Sequence, residues 1–441
     1  MTLELNRPKC NEMIAIFAPF AVQFALGVQH RPPKMSYIEN KEIRLGVDLN
    51  MGGSITYLAP VSDKAKNVVN SADLGRQIQL SYYSGPVPYQ PPGAVISQQW
   101  QGLGWNPIQS GDFYNNASKI LAFENSGDHL YLKCIPMHWP LKNVPGECVC
   151  EVWLTLDHST VKAKCRLTNN RPDHTQYLGR AQELPAVYVN APYYHLMTYR
   201  GDEPFESRPL TEIKNRLDKE GNWTSWNATE HWAAQVDDQQ WGLGIWSPVT
   251  SRFSGGFFSQ PGVGGPSDSP TGYIAPNRTE ILDYNIVYDY NYVLILGSLD
   301  RIRKYATDHA NQIQQPVWRF RNDRQGWSLA QDVDTGWPIR GCIDLSKLSA
   351  NGVIYSSEFA TRTDRLHHLV VDLDPVTSGG TLQVQWRTSA TGNFSPVKTF
   401  ILSESGRRSR KFNVELPDRS VVTQLRLNLP PCRLYSVRLE R

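Results

Sequence analysis

Alternating apolar and polar positions run through most of this chain and predict β-strands. Two alternating runs between Tyr37 and Leu58 are separated by NMGG, whose glycines supply the positive φ that a tight hairpin turn requires. Between 119 and 170, further runs are separated by the turn signals NSGD and DHST, as expected for antiparallel strands that follow one another in a sheet. The pattern predicts an all-β protein.

A second β-rich unit is predicted after a single helical segment. The sequence LDRIRKYATDHANQ has apolar positions at helical spacing, at Leu299, Ile302 and Ala306. Beyond it, the short alternating runs HHLVVDLD, TLQVQWRTS and QLRLNL have the spacing of a small β-sandwich. The predicted divisions are an N-terminal segment, a large β-domain, a linker helix and a smaller β-domain, at 1–34, 35–298, 299–316 and 317–441.

Two stretches of the chain resemble known carbohydrate-active families. The hairpin that ends in GGSI, followed by NVVNSADLGRQIQLSYYSGP, resembles the start of the galactose-mutarotase-like supersandwich. That family of large antiparallel β-sandwiches includes sugar epimerases and domains of glycosidases and polysaccharide lyases. The C-terminal unit, with its leading WRF and central LQVQW, resembles the jelly-roll carbohydrate-binding modules of secreted glycosidases. The resemblance implies a large antiparallel supersandwich followed by a jelly roll, acting on a poly- or oligosaccharide.

The composition is compatible with this resemblance. The chain carries 13 Trp, 20 Tyr and 14 Phe in 441 residues, and its net charge is only +3. Aromatic rings stack on the C–H faces of sugars, but they also fill β-sandwich cores. The small and dispersed charge gives no indication of a nucleic-acid partner, and no feature of the sequence indicates an oligomeric state.

The apolar run from Met13 to Gly27 resembles the central part of a secretory signal peptide. It follows two basic residues, and it is too short to span a bilayer. The sequence therefore predicts a secreted or periplasmic protein without a membrane span.

The cysteines and histidines predict no metal centre or other cofactor. The seven cysteines include no CxxC pair, and the ten histidines include no HExxH motif. Cys342 and Cys432 flank the last domain and are expected either as a disulfide or as buried free thiols. By analogy with jelly rolls, a structural calcium near Asp332 or Asp334 is the one ion considered.

The segment from Gly179 to Phe205 concentrates ionisable and aromatic side chains. Pro185 removes one donor from a sheet ladder, and Val187 and Val189 favour an extended backbone, so the segment is predicted to be an edge strand. Ionisable groups on such an edge, beside aromatic rings, suit a sugar-binding cleft. The alternative is that Glu183 is a solvated loop acid and that the tyrosines belong to the core.

A glycoside hydrolase is the first functional hypothesis. Most glycosidases place two carboxyl groups roughly 5 to 10 Å apart around the scissile bond. Glu183 and Glu230 lie in the most aromatic contexts of the chain and are predicted to form this pair across one cleft, with Asp112 and Asp202 as reserve acids.

Three other hypotheses remain open. A polysaccharide lyase would use a Tyr or His base on a uronate, drawn from Tyr188, Asn190, Tyr194 and His195. A mutarotase-like reaction would pair Glu183 as base with His195 as acid. A non-catalytic glycan-binding protein would need only the clustered rings.

The substrate-binding residues are predicted from two ring-rich loops, at 73–89 and 100–116, and from the segments that hold the acids. The two loops are expected to lie on one open face of the sandwich, with aromatic walls around a polar floor. The predicted set is Arg76, Trp105, Asp112, Asn190, Tyr194, Trp226 and His231.

Overall fold

The fold was analysed in a computed structural model of the chain. The structure describes residues 32–214, 223–329, 334–348, 352–389, 393–403 and 405–441, with Arg365 described in its backbone only. The predicted signal-peptide segment at 13–27 lies outside the described residues.

Nineteen strands within the described residues form a large antiparallel sandwich. β9, for example, follows an alternating run of the sequence and buries every second residue, whereas β15 is buried at all of its positions. In chain order the strands are β1 Met35–Glu39, β2 Ile43–Asp48, β3 Ser54–Pro60, β4 Ile78–Ser81, β5 Pro107–Ile108, β6 Lys119–Asn125, β7 His129–Ile135, β8 Met137–His138, β9 Cys148–Asp157, β10 Thr160–Asn169, β11 Arg180–Asn190, β12 His195–Thr198, β13 Thr211–Glu212, β14 Thr224–Asn227, β15 Trp232–Val236, β16 Trp241–Trp246, β17 Arg252–Phe258, β18 Thr271–Glu280 and β19 Val287–Ser298.

These strands form two sheets that enclose one apolar core. The ten-stranded sheet has the order β1-β2-β3-β4-β11-β18-β17-β14, with β5 paired to β4 and β8 paired to β5. The nine-stranded sheet has the order β13-β12-β15-β16-β19-β10-β9-β7-β6. Side chains from both sheets, such as Leu45, Ile78, Val152 and Leu294, meet in a single buried cluster. The prediction of an all-β chain whose first part is a large antiparallel sandwich is confirmed.

The strand that carries Glu183 is central, so the prediction of an edge strand is wrong. β11 lies between β4 and β18, and its pairing with both neighbours shifts register between Glu183 and Val187. This irregularity accommodates Pro185, which cannot donate to a ladder, inside a sheet. Leu184 and Val187 point into the core, whereas Glu183 and Tyr188 point to the outer face of the ten-stranded sheet.

Helix α1, Leu299–Asp308, follows β19 directly. The Ser298 hydroxyl caps it by accepting a hydrogen bond from the backbone N–H of Arg301. Its apolar face, with Ile302 and Ala306, packs on Trp232 and neighbouring side chains, and so covers part of the outer face of the nine-stranded sheet.

The rest of the chain forms a smaller antiparallel sandwich, as the sequence predicts. A five-stranded and a six-stranded sheet enclose their own core, to which Trp318, Trp327, Val371 and Leu427 contribute. The strands are β20 Val317–Arg319, β21 Ser328–Leu329, β22 Ile343–Asp344, β23 Gly352–Tyr355, β24 Thr361–Arg362, β25 His368–Pro375, β26 Gly380–Thr388, β27 Lys398–Leu402, β28 Arg408–Asn413, β29 Val421–Leu429 and β30 Cys432–Glu440.

Buried ion pairs join the two sandwiches. Arg324 of the smaller sandwich contacts Asp283 of the larger one, with 2.6 Å between Nη1 and Oδ2. The same guanidinium contacts Asp334, with 2.5 Å between Nε and Oδ2, and Gln176 donates a hydrogen bond to Asp334 from the larger sandwich. Because these carboxylates are buried and need their partner, the two sandwiches are held in one arrangement.

We expect Gly326→Ala to weaken this junction more than a matched glycine substitution. A Cβ at Gly326 would lie 2.3 Å from Nε of Arg278 and 2.7 Å from Cβ of Ser357. Gly336 has nearly the same φ, +75° against +76°, but a Cβ there would meet nothing within 4 Å. Urea unfolding should show a loss of about 1–2 kcal/mol for Gly336→Ala, from backbone strain, and about 1–3 kcal/mol more for Gly326→Ala. Equal losses would contradict the close packing at Gly326.

The described residues hold no disulfide between Cys342 and Cys432, which are both free thiols. Of the two residues considered for a structural calcium, Asp332 lies outside the described residues, and Asp334 forms an ion pair with Arg324. No three His, Cys, Asp or Glu side chains in the described part of the chain are grouped as a metal site. None of the described helices has the length and apolar character needed to cross a membrane.

Candidate functional site

A cavity on the outer face of the ten-stranded sheet contains Glu183, and we call it the Glu183 cavity. Its free volume is about 30 Å³, enough for about two water molecules, and it opens to solvent at a mouth. β4 and β11 form its floor, and the two ring-rich loops form its walls. The lining residues are Asp73, Gly75, Arg76, Gln79, Ser81, Tyr83, Trp100, Leu103, Asn106, Ile108, Trp139, Glu183, Ala186 and Tyr188.

Glu183 is held in this cavity by two phenols. The Tyr83 hydroxyl donates to Oε2 over 3.0 Å, and the Tyr273 hydroxyl donates to Oε1. The residue is only 5% exposed, and this burial raises the pKa of its carboxyl group above the ordinary value, although the phenol hydrogen bonds oppose the shift. Burial also raises the pKa values of Tyr83 and Tyr273 well above 10. The carboxyl group is thus fixed in position and holds its proton more strongly than an exposed glutamate.

An ion pair lies at another side of the cavity. The Arg76 guanidinium contacts Asp73, with 3.2 Å between Nε and Oδ2, and its Nη1 donates to the Ser269 carbonyl over 2.6 Å. The other Asp73 oxygen accepts from the backbone N–H of Gly75 over 2.8 Å. The short turn DLGR therefore supplies a charged pair whose members neutralise each other.

Aromatic rings form the apolar part of the cavity. Trp100 and Trp139 pack edge to face, with 5.9 Å between ring centroids, and Tyr188 packs against Tyr273 at 4.9 Å. A Cβ at Gly75 would lie 2.6 Å from Cη2 of Trp139, so glycine lets the DLGR turn approach this ring. Flat rings beside hydrogen-bonding groups are the combination that sugar rings require.

The predicted pairing of Glu183 with Glu230 is not found. Glu230 precedes β15 and is fully buried beneath α1, where Arg303 contacts it through Nε at 3.0 Å and Nη2 at 2.8 Å. The indole of Trp232 and the backbone N–H of Phe205 donate to the same carboxylate. The two glutamates therefore lie on the outer faces of opposite sheets, with the core between them.

His231, predicted to bind substrate, is also buried away from the cavity. Its Nδ1 lies 3.1 Å from the Ser247 carbonyl, and burial lowers its pKa to about 4. A neutral histidine packed between strands is a core residue here, and its neighbour Glu230 is an anchor for α1.

Tyr194 and His195 form a separate, partly exposed cluster. His195 lies at the start of β12, with Nδ1 2.7 Å from Glu212 and Nε2 3.0 Å from Asp238, and Tyr194 donates to Asp238. Neither residue lines the Glu183 cavity. The set Tyr188, Asn190, Tyr194 and His195 is therefore not brought together, and His195 is not available as an acid partner of Glu183.

We expect His195 to titrate above 6.5. Partial burial alone would lower its pKa, but the hydrogen bonds to Glu212 and Asp238 raise it. Because the folded-state pKa is the higher one, the stabilisation is present below pH 6.5 and is lost as the pH rises through the folded-state value. An NMR titration of the His195 ring should show this, and Asp238→Asn should move the midpoint down. An unchanged midpoint in the variant would contradict the pairing.

The remaining predicted residues hold loops and core in place. Trp105 is buried and donates to Glu147 over 3.0 Å. Asp112 accepts hydrogen bonds from the backbone N–H groups of its own loop, and Trp226 belongs to the large core. Asn190 is buried and donates to the Asn67 carbonyl over 2.7 Å. None of these four lines the cavity.

Of the predicted site residues, Glu183, Arg76 and Tyr188 line one cavity. The predicted set of site residues omits Asp73, Tyr83, Trp139 and the supporting Tyr273, although Asp73 and Tyr83 belong to the first ring-rich loop. Only Asp73 has a local signal, since an acid two residues before a glycine marks a side-chain-capped turn. The other three lie in apolar or aromatic runs, where nothing separates a cavity ring from a core ring.

Several solved structures are similar to this chain in fold. A galactose mutarotase-related enzyme from Lactobacillus acidophilus is 10% identical, with a TM-score of 0.38 over 60% of this chain and 97% of its own length. A galactose mutarotase-like protein from Lactobacillus casei is 12% identical, with a TM-score of 0.38 over 59% and 99%. A polysaccharide lyase is 10% identical, with a TM-score of 0.35 over 89% of this chain and 46% of its own length.

No protein-family model matches the sequence, and no curated protein does so either. None of the structural similarities is close enough to carry an activity over to this chain.

Proposed function

We propose that this protein is a carbohydrate-active enzyme and that Glu183 transfers a proton to or from a sugar bound at the mouth of the Glu183 cavity. The observation that carries the proposal is the environment of this one carboxyl group. It is nearly buried, it is held by the hydroxyls of Tyr83 and Tyr273, and its pKa is raised. A carboxyl group in this condition suits general acid–base catalysis.

Each part of the cavity has a role in the proposed reaction. Glu183 takes a proton from a sugar hydroxyl or carbon, and the two phenols keep the resulting acid in the same orientation. Trp100 and Trp139 supply the apolar surface against which a sugar ring packs and which excludes water. Tyr188 lies within the same cavity and remains protonated, because burial raises its pKa well above 10. It is placed to donate a hydrogen bond to a sugar oxygen.

Hydrolysis is retained as the second candidate because of Asp73. The pair first predicted, Glu183 and Glu230, does not share a cleft, but Asp73 gives the Glu183 cavity a second carboxylate. A glycosidase mechanism needs two such groups. In this version Glu183, with the raised pKa, is the acid, and Asp73, which is paired with Arg76, is the second carboxyl group.

The smaller sandwich keeps its proposed role as a carbohydrate-binding appendage. The support is a row of amide and guanidinium groups on the six-stranded sheet, where Arg426 donates to Gln385 over 2.7 Å and Asn428 donates to Gln383 over 2.8 Å. Tyr355 is the cross-strand neighbour of Arg426.

Export to the periplasm or the exterior is likewise proposed, from the apolar segment at 13–27.

One panel of assays tests the proposal. Purified protein is incubated with neutral and uronate-containing poly- and oligosaccharides, and three products are followed: new reducing ends, absorbance of unsaturated uronates, and interconversion of anomers or epimers by NMR. Proton-transfer chemistry predicts the second or third product, and the Asp73–Glu183 version predicts the first. The activity observed must be lost in Glu183→Gln, and an undiminished rate in that variant would refute the proposal.

A further inference from the structure

An open groove lies on the outer face of the nine-stranded sheet, over β6, β7 and β9. Its free volume is about 640 Å³, far larger than that of the Glu183 cavity and within the range of about 300–1,000 Å³ that is usual for ligand sites. We call it the Trp153 groove. Its lining includes Glu124, Ser126, His129, Tyr131, Trp153 and Thr155. The groove lies on the sheet opposite to the one that carries Glu183.

Two aromatic rings line this groove. Tyr131 of β7 and Trp153 of β9 are direct cross-strand partners, and both are partly exposed, because their neighbours Leu132 and Val152 are the residues that point into the core. The two ring centroids lie 5.3 Å apart with 33° between the ring planes, which is an offset stack. Neither ring belongs to a buried apolar cluster of the described residues. Both rings are therefore accessible to a ligand.

Hydrogen-bonding groups surround the two rings. The Tyr131 hydroxyl donates to Oε1 of Glu151 over 2.7 Å. On the far side of Tyr131, its cross-strand partner is the exposed Glu124, and on the far side of Trp153 the partner is the exposed Lys164. The Lys164 ammonium lies 5.4 Å from the centroid of the Trp153 ring. One row across four strands thus presents a carboxylate, two rings and an ammonium group, which match the donors, C–H faces and acceptors of a sugar chain.

The charges beside the rings balance one another. Lys133 pairs with Glu151, with 3.8 Å between Nζ and Oε1, and Arg166 pairs with Asp289, with 2.7 Å between Nε and Oδ1. The carboxylate and the ammonium group of the row itself also carry opposite charges. A balanced surface does not attract a polyanion. Protein interfaces are depleted of charged residues at their centre, whereas these rings have charged residues on every side, so a protein partner also fits poorly.

We propose that the Trp153 groove binds a neutral glycan chain. Sugar units pack on Tyr131 and Trp153, and their hydroxyls form hydrogen bonds with Glu124 and Lys164. The inference goes beyond the proposed function, because the groove is remote from Glu183 and takes no part in the chemistry. It would attach the protein to a polymer through the large sandwich itself.

Affinity electrophoresis of the full-length chain tests this inference. Native gels contain galactomannan, xyloglucan, mixed-linkage β-glucan or glycogen, with polygalacturonate as the anionic comparison. The parent protein carries Glu183→Gln, so that no polymer is consumed during the run. At least one neutral polymer should retard the parent more than polygalacturonate does. Trp153→Ala and Tyr131→Ala should each raise the dissociation constant, obtained from mobility against polymer concentration, about tenfold or more.

Tyr37→Ala is the matched control. Tyr37 is also an outward-facing ring, 36% exposed, that contacts a second ring, with 5.6 Å between its centroid and that of Tyr57. The Arg44 guanidinium lies over it at 4.0 Å, as Lys164 lies over Trp153. Tyr37 belongs to the other sheet and does not line the groove. Its replacement should leave the retardation unchanged, and circular dichroism should show all variants folded.

Three results would overturn the inference. The first is that no neutral polymer retards the parent, or that polygalacturonate retards it most. The second is that Trp153→Ala and Tyr131→Ala are retarded as strongly as the parent. The third is that light scattering shows a dimer that Trp153→Ala dissociates, which would make the groove a subunit interface. The proposed function is judged separately, by turnover in the wild type against Glu183→Gln. An inactive protein that still binds a neutral polymer through Trp153 would refute that function and support the groove.

Discussion

Replacing Glu183 by glutamine is expected to lower the turnover of the sugar substrate by about 10²- to 10⁴-fold, the usual contribution of a general acid–base. Glutamine has nearly the same shape; its Oε1 can accept a hydrogen bond from one of the two phenols and its Nε2 can donate to the oxygen of the other, so the cavity should keep its form. The loss should therefore appear in kcat rather than in substrate affinity. Steady-state kinetics with the substrate found in the product panel provide the measurement.

The same substitution should have a pH-dependent effect on stability. The pKa of Glu183 is raised by burial, so the ionised carboxylate costs folding free energy, and this cost is absent at low pH, where the group is protonated in both states. As the pH rises past the ordinary carboxyl pKa, the wild type loses folding free energy because its buried carboxyl group becomes ionised. Glu183→Gln has no ionisable group at this position and does not lose it. Unfolding free energies at pH 4 and pH 7 should show the variant gaining relative stability at pH 7. If the variant instead lost stability relative to the wild type between pH 4 and pH 7, the conclusion that burial destabilises the ionised Glu183 carboxylate would be contradicted.

Glu230→Gln is expected to lower the free energy of unfolding by about 3–5 kcal/mol, because it leaves the Arg303 guanidinium without its buried counter-charge. Glu230 is 0% exposed and also accepts hydrogen bonds from Trp232 and Phe205, so several groups lose a partner at once. Urea denaturation of the wild type and the variant measures the loss.

A double variant distinguishes a structural role from a catalytic one. Glu230→Gln with Arg303→Met removes both charges and should recover much of the stability. At a temperature where Glu230→Gln remains folded, its turnover should stay within a few-fold of the wild type. If turnover falls as far as in Glu183→Gln, then Glu230 takes part in the chemistry and its placement beneath α1 does not describe the active protein.

The contrast between these two glutamates shows the limit of local sequence context. Both stand among aromatic residues in the sequence, and both are buried. Glu183 meets uncharged phenols beside an opening, and Glu230 meets an arginine from a helix 73 residues further along the chain. Residues remote in sequence surround each carboxylate. These surroundings decide whether the carboxylate can take part in a reaction or only holds a helix in place.

Residues of both ring-rich loops line the Glu183 cavity, but apart from Arg76 they are not the residues that were predicted from those loops. Trp105 and Asp112 were selected, and they bond inward to Glu147 and to their own loop. Trp100, from the same loop, and Asn106, the residue after Trp105, line the cavity instead. Trp105 and Asn106 are both fully buried, and the direction in which each loop side chain points follows no periodicity in the sequence.

Local chain chemistry determined the elements of this protein. Alternation of period two, interrupted by glycine and asparagine turns, was sufficient for an all-β chain with a large and a small sandwich, because successive side chains of a pleated strand point to opposite faces whatever its partners are. Only the tertiary structure decided that β11 is central, that its bulge at Pro185 turns Glu183 toward a cavity, and that α1 folds back over Glu230. Those outcomes depend on which strands pair and which faces are covered. They are set by contacts between distant segments, and so the site is a property of the assembled sheets.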